Sequence, residues 1–258
     1  MLVFLSPAKT FTPPRRIKSE ELPATRPLFY DEAQLLAASA ASLTAERLGA
    51  GMQISPDLAA SACRLLQEFP GESTPAAPAA LVYSGMVFKK LDAAGFGRDE
   101  WTYAQEHLLL ASFIYGLLKP SDLIRPYRME GNLLLPEPIG KTPFDYWKDK
   151  LTDIFIERIR IAGGVLCDLA SEEMKNLFHW HKIKKAVHIV QPLFLVRRPD
   201  GRTKQIVIYT KMARGFMARN IIKNRIEDVE VLKRMTPNGF VYSEADSSPD
   251  IFRFILED

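Results

Sequence analysis

The chain opens on a four-residue apolar block at residues 2–5, with no basic stretch ahead of it and too few apolar residues for a leader. This block predicts a buried first strand. Residues 12–27 are rich in proline and arginine and predict an irregular connection. An Ala- and Leu-rich pattern predicts a helix over 31–48. Ser55-Pro56-Asp57 supplies an N-cap hydroxyl and then proline at the first helical position, so a second helix should run to Phe69. Residues 71–78 read as a surface loop, 80–83 as a strand and 85–91 as a short helix. The stretch 100–118 predicts a long helix that stops before Pro120, since the residue ahead of proline avoids helical backbone.

Thr142-Pro143-Phe144-Asp145 combines a capping hydroxyl, proline and a carboxylate, and opens a helix to Ile161. Gly163-Gly164 ends that helix, and residues 165–169 predict a buried strand. Ser171 caps a helix through Trp180. Apolar runs at 187–196 and 205–210 flank Pro199-Asp200-Gly201 and predict a β-hairpin. A helix over 211–226 follows, then strands at 240–242 and 251–256. Hairpins alternate with strands that helices separate, and no repeat or linker divides the chain. The pattern predicts one α+β domain over residues 1–258, a mixed β-sheet flanked by helices.

Composition changes this picture little. The 258 residues are 47% hydrophobic and 25% charged, as in ordinary globular chains. No run of eighteen apolar residues predicts a membrane span. Cys63 and Cys167 lie among apolar residues and read as reduced core thiols of a cytoplasmic protein. Charge changes the picture more. From Lys175 to Arg234 stand 15 Lys and Arg against 4 Asp and Glu, while the rest of the chain holds 19 against 27. A basic third on an otherwise acidic chain points to an anionic partner, or else to a solvated basic face.

Three segments carry candidate chemistry. In Leu5-Ser6-Pro7-Ala8-Lys9-Thr10, Ser6 and Lys9 have the spacing of a serine nucleophile and a lysine base. That spacing is common by chance, and a plain capping turn fits it equally. Residues 114–130 hold Tyr115, Gly116, Lys119, Arg125, Tyr127, Arg128 and Glu130 in one connection. Glycine at a helix end allows a tight hairpin with exposed amides, so a helix–hairpin–helix contact to phosphate is expected here, with Lys119 and Arg125 beside it. The bland alternative is a rigid loop with an Arg128–Glu130 pair. In Lys211-Met212-Ala213-Arg214-Gly215-Phe216-Met217-Ala218-Arg219, Gly215 and Ala218 share one helix face near Lys211, with Arg214 and Arg219 at its edges. Small residues there let a ligand approach an anion-binding rim, or let the helix pack closely on its neighbours. His179, His181 and His188 lack companion ligands, so no metal site is expected. Walker, Rossmann and nucleophile-elbow motifs are missing.

Read together, these blocks resemble the YaaA family of peroxide-stress proteins. The resemblance is carried by residues 5–10, by Tyr83-Ser84-Gly85 with Val87, and by residues 115–120 and 126–128. It continues through residues 144–150 around Trp147, Leu169-Ala170-Ser171, residues 213–219, Gly239-Phe240 and Asp246-Ser247-Ser248. The resemblance implies a cytosolic protein of the hydroperoxide response that limits iron-dependent damage and binds DNA through a helix–hairpin–helix element and a basic cleft. Asp168 stands where the family usually has Asn, a departure that would weaken phosphate binding if it faced the ligand.

Two readings follow. As a DNA-binding protein selective for structure rather than sequence, the chain would contact phosphate through Lys9, Lys119, Arg125, Arg128, Lys211, Arg214 and Arg219, with Tyr127 stacking on an unpaired base. As an enzyme on a small phosphorylated or nucleotide-like substrate, it would use Ser6, Lys9 and Glu130 as catalytic candidates. Tyr83, Gly85, Tyr115, Gly116, Trp147, Ser171 and Gly215 would line the same cleft. Neither reading expects a cofactor, a metal or a membrane partner. A narrow closed pocket would favour the second, an open groove the first.

Overall fold

The computed structural model describes residues 1–13, 24–71 and 75–258. The strands of its main sheet, in chain order, are Leu2–Leu5 (β1), Leu108–Ser112 (β2), Gly116–Leu118 (β3), Val165–Asp168 (β4), His188–Arg197 (β5), Thr203–Lys204 (β6), Val241–Tyr242 (β7) and Ile251–Glu257 (β8). Every β1 side chain is buried. A strand with no polar face belongs at the centre of a parallel sheet covered on both sides. β1 sits there, parallel to β2 on one side and to β4 on the other. β5 and β8 continue the parallel run. Antiparallel β3, β6 and β7 finish it, giving the order β7-β8-β5-β4-β1-β2-β3 with β6 on β5.

Eight helices surround the sheet among the described residues, besides single turns: Tyr30–Ala41 (α1), Ala45–Met52 (α2), Pro56–Glu68 (α3), Met86–Leu91 (α4), Arg98–His107 (α5), Pro143–Ile161 (α6), Trp180–Ala186 (α7) and Val207–Asn224 (α8). The expected α+β domain with a mixed sheet is present, more parallel than hairpin signals implied. Two of the three expected caps act as such, while the Ser171 hydroxyl makes no capping bond and accepts from Ser6 instead. Ser55 and Thr142 accept backbone N–H bonds from Leu58 and Asp145, and each precedes a proline at the first helical position. No helix among the described residues is long and apolar enough to cross a membrane.

Several elements differ from the expectation. The helix predicted over 100–118 ends at His107. Leu108–Ser112 is a fully buried strand on β1, and Gly116, at φ +71°, turns the chain back into β3. A continuous apolar run suits a buried strand as well as a helix, and pairing with β1 decides it. The helix expected ahead of the 114–130 hairpin is therefore a strand. Residues 79–82 form a helical turn, and the strand falls at Tyr83–Ser84, paired with Thr10–Phe11. The run at 205–210 does not form the second arm of a long hairpin. β6 is two residues long, and Val207, 65% exposed, already begins α8. The helix over 31–48 breaks at residues 42–44, where Thr44 caps α2. The Ser171 helix is a 3₁₀ turn to Leu177, followed separately by α7. Residues 14–23 and 72–74 of the two predicted loops lie outside the described residues.

Candidate functional site

A cleft of about 460 Å³ opens at the carboxyl ends of β1, β2 and β4. The chain leaves β1, returns on one side as β2 and later on the other as β4, and at such a switch point the loops after the strands diverge and leave a crevice. Residues 6–10 after β1 form one wall. Phe113 after β2, residues 127–129, residues 169–174 after β4, residues 84–88 leading into α4, and Lys211 and Arg214 of α8 complete it.

Each wall is fixed by a nameable contact. Ser6 accepts the Ser171 backbone N–H at 2.8 Å and donates to the Ser171 hydroxyl at 3.1 Å, joining the loops after β1 and β4. Glu130 is held between two cations, 2.7 Å from Lys9 Nζ and 3.3 Å from Arg128 Nη2. Its side chain is 10% exposed while that of Lys9 is 58% exposed, so Lys9 is the solvent-facing partner at the rim. The α4 wall depends on Gly215, where an added Cβ would collide with the Val87 carbonyl oxygen. Glycine lets α8 and α4 touch backbone to backbone, and α4 carries Val87 and Phe88 to the cleft.

Lys211 and Arg214 differ from the cations opposite them. Neither has a hydrogen-bond or ion-pair partner among the described residues. Burial lowers the Arg214 pKa, while Asp168 and Glu172 pull the other way, and a guanidinium stays charged in any case. The Nε–H groups of Arg214 and Arg128 are both buried without an acceptor. Each such orphan donor costs about 1–3 kcal/mol, which an acceptor reached by a small guanidinium rotation would recover.

Asp168 lies behind this pair at the end of β4, only 2% exposed. One carboxylate oxygen accepts the Ala170 N–H at 3.1 Å, the other has no hydrogen bond, and Lys175 Nζ stands 4.0 Å away. Burial raises its pKa to about 6, against the opposing charges of Lys175 and Arg214. Burial likewise raises Glu173 on the cleft wall, opposed by Lys9 and reinforced by Glu130.

The structure thus gathers Ser6, Lys9, Gly85, Tyr127, Arg128, Ser171, Lys211 and Arg214 around one cleft, with Glu130 behind Lys9. The other expected residues are elsewhere. Lys119 pairs with Glu106 at 3.3 Å. Arg125 donates to the Phe69 carbonyl and, through its backbone, to the Tyr115 hydroxyl. Arg219 donates to the Leu91 and Asp92 carbonyls and pairs with Asp92 at 3.0 Å. None of these three lines the cleft. Trp147, fully buried, donates to the Phe113 carbonyl and packs over Gly116. Tyr127 is 3% exposed, its hydroxyl held by Ser112 at 2.6 Å and Tyr83 at 2.8 Å. It touches the cleft but presents no free ring face for a base. Tyr83 and Tyr115 are buried behind it. Gly215 serves packing and is closed to a ligand. Ser84 and Glu173, which the sequence reading missed, line the cleft. Glu173 follows an N-cap serine and looked like an ordinary first-turn acid. His179 pairs with Asp149, and no cluster of three or more His, Cys, Asp or Glu suited to a metal occurs among the described residues.

Residues 1–246 match the profile of the family described as Peroxide stress protein YaaA. A UPF0246 protein of Porphyromonas gingivalis is 47% identical over 257 residues, covering all of both chains. A UPF0246 protein of Bacteroides fragilis is 46% identical over 244 residues, covering 95% of this chain and 94% of its own. A UPF0246 protein of Parabacteroides distasonis is 38% identical over 257 residues, again across both full lengths.

Proposed function

The chain belongs to the peroxide stress protein YaaA family, and on that premise we propose that it is a cytosolic DNA-binding protein of the hydroperoxide response, taking a phosphate-bearing nucleotide of DNA into the cleft and so limiting iron-dependent oxidative damage. The observation that carries this reading is the pair Lys211 and Arg214, two cations with no partner among the described residues in a half-enclosed concavity. Arg214 is partly buried while Lys211 is exposed at the rim, and a partly desolvated cation attracts an anion far more strongly than a solvated one. The cleft volume of about 460 Å³ falls in the range of single small-ligand sites, about 300–1,000 Å³. A continuous duplex does not enter such a space, whereas an end, a gap or an extruded nucleotide does. Binding is therefore expected to follow DNA structure rather than sequence.

A second reading, an enzyme on a small phosphorylated or nucleotide-like substrate, draws support from Glu130. A carboxylate held between Lys9 and Arg128, together with a Ser6–Ser171 hydroxyl pair on the same cleft as those two cations, is more varied chemistry than phosphate contact requires. Fluorescence anisotropy separates the two. Intact duplex, gapped duplex, single strand and free mononucleotide are titrated at two salt concentrations. Salt-sensitive binding of gapped over intact duplex supports the first reading. Mononucleotide binding with no DNA binding, even in low salt, transfers the cleft to the second.

A further inference from the structure

We propose that the Lys211–Arg214 subsite selects a terminal phosphate, a phosphomonoester dianion, over the internal diester of a continuous strand. The inference rests on the phosphate reading of the same cleft and deepens it. Charge is the first argument. Lys9, Arg128, Lys211 and Arg214 bring four positive charges to the cleft, and Glu173 on its wall and Glu130 between Lys9 and Arg128 bring two negative ones. Behind the wall, Asp168 and Glu172 share Lys175. The groups facing the cleft thus have a surplus of two cations, Lys211 and Arg214, and the pair of carboxylates on the single Lys175 leaves one negative charge behind Arg214, so that a dianion engages both facing cations where a monoanion engages one. A phosphomonoester carries about −1.5 to −2 at neutral pH, while a diester carries a single charge. In a half-enclosed site the ligand that cancels the surplus is preferred.

Donor count is the second argument. The Nε–H groups of Arg128 and Arg214 lack acceptors. The Ser171 hydroxyl receives the Ser6 proton, and its own proton has no acceptor among the described residues. With the Lys211 ammonium these make four donor groups. A monoester offers three terminal oxygens, and a diester two. Shape is the third: walls from residues 6–10, 84–88, 127–129 and 169–174 surround the subsite. A chain end needs one way out, but an internal phosphate needs two.

The test is anisotropy with gapped duplexes that differ only in bearing a phosphate or a hydroxyl at the gap, on the 5′ or the 3′ side. Free nucleoside monophosphate and its 3′,5′-cyclic diester serve as competitors. The phosphorylated gap is expected to bind about tenfold tighter or more, as for one added charge-assisted contact. The monophosphate should outcompete the cyclic diester by a similar factor. Arg214→Ala and Lys211→Ala, each shown folded by circular dichroism, should each reduce the preference, and Arg214→Lys should retain part of it. Competition by monophosphate without DNA binding keeps the inference and names a free nucleotide as the source. Equal affinity for both gaps, or a preference unchanged in both alanine variants, overturns the inference while leaving salt-sensitive DNA binding in place. No binding of any phosphate ligand overturns the phosphate reading with it.

Discussion

Arg214 and Arg219 stand on the same helix and have different fates. Arg219 is spent on the Leu91 carbonyl and on the Asp92 carbonyl, which also accepts the Gly95 N–H, and on an ion pair with the Asp92 carboxylate. Arg219→Ala should therefore lower stability by about 1–3 kcal/mol, seen as a fall in Tm, with the cleft's ligand affinity little changed. Arg214→Ala should do the reverse. Residue spacing on α8 was legible in the sequence, but which cation is free was not, because the partner Asp92 lies far away in the chain and only the fold brings it close. Asp168 supports a second prediction. Its carboxyl titrates at about 6 rather than at its ordinary 3.8 because burial disfavours the charge. A raised carboxylate pKa means that the folded state holds the proton more tightly, so this stability is present at low pH and is lost as pH rises from about 4 through about 6. The loss is on the order of 3 kcal/mol. Thermal melts should show Asp168→Asn more stable than the parent at pH 7, with the difference vanishing near pH 4. A difference that grows toward acid would contradict the assignment. Removing that charge from behind Arg214 should also strengthen anion binding at neutral pH.

Helix and strand starts with caps were readable in advance: Thr142 before α6, Ser55 before α3, the apolar block of β1. The failures share a cause. Leu108–Ser112 and the run from Val207 carry local patterns that fit either state, and contacts remote in sequence choose between them. β1 claims the first as a strand. The second goes to the long helix that packs on α4. That packing is testable at Gly215. Gly215→Ala forces a Cβ into the Val87 carbonyl and should cost about 1–3 kcal/mol. Because α4 carries part of the cleft wall, ligand affinity should fall with stability, whereas at Thr142 the two should separate. Thr142→Ala removes only a cap and should cost about 1 kcal/mol, with binding intact. Parallel denaturation and anisotropy measurements on the two variants check this.

For the whole molecule, the sheet places its carboxyl-end loops where β1 meets β2 and β4, and the basic third of the chain contributes two free cations to that place. The sequence showed a charge surplus from Lys175 to Arg234 but not its concentration at Lys211 and Arg214. Much of the surplus is spent in surface pairs such as Lys182–Asp153, Arg197–Asp246 and Lys233–Glu230. Few phosphate contacts imply a shallow salt dependence. Two contacts give a slope of log K against log salt of about −2, where six would give about −5. The most direct measurement is anisotropy of a phosphorylated gapped duplex against the parent, Arg214→Ala and Arg219→Ala proteins across that salt series. A slope near −2 that drops by about one unit in Arg214→Ala and is unchanged in Arg219→Ala is the expected result. A slope near −5, or an Arg214→Ala protein that binds like the parent, would contradict the proposal that the cleft takes phosphate.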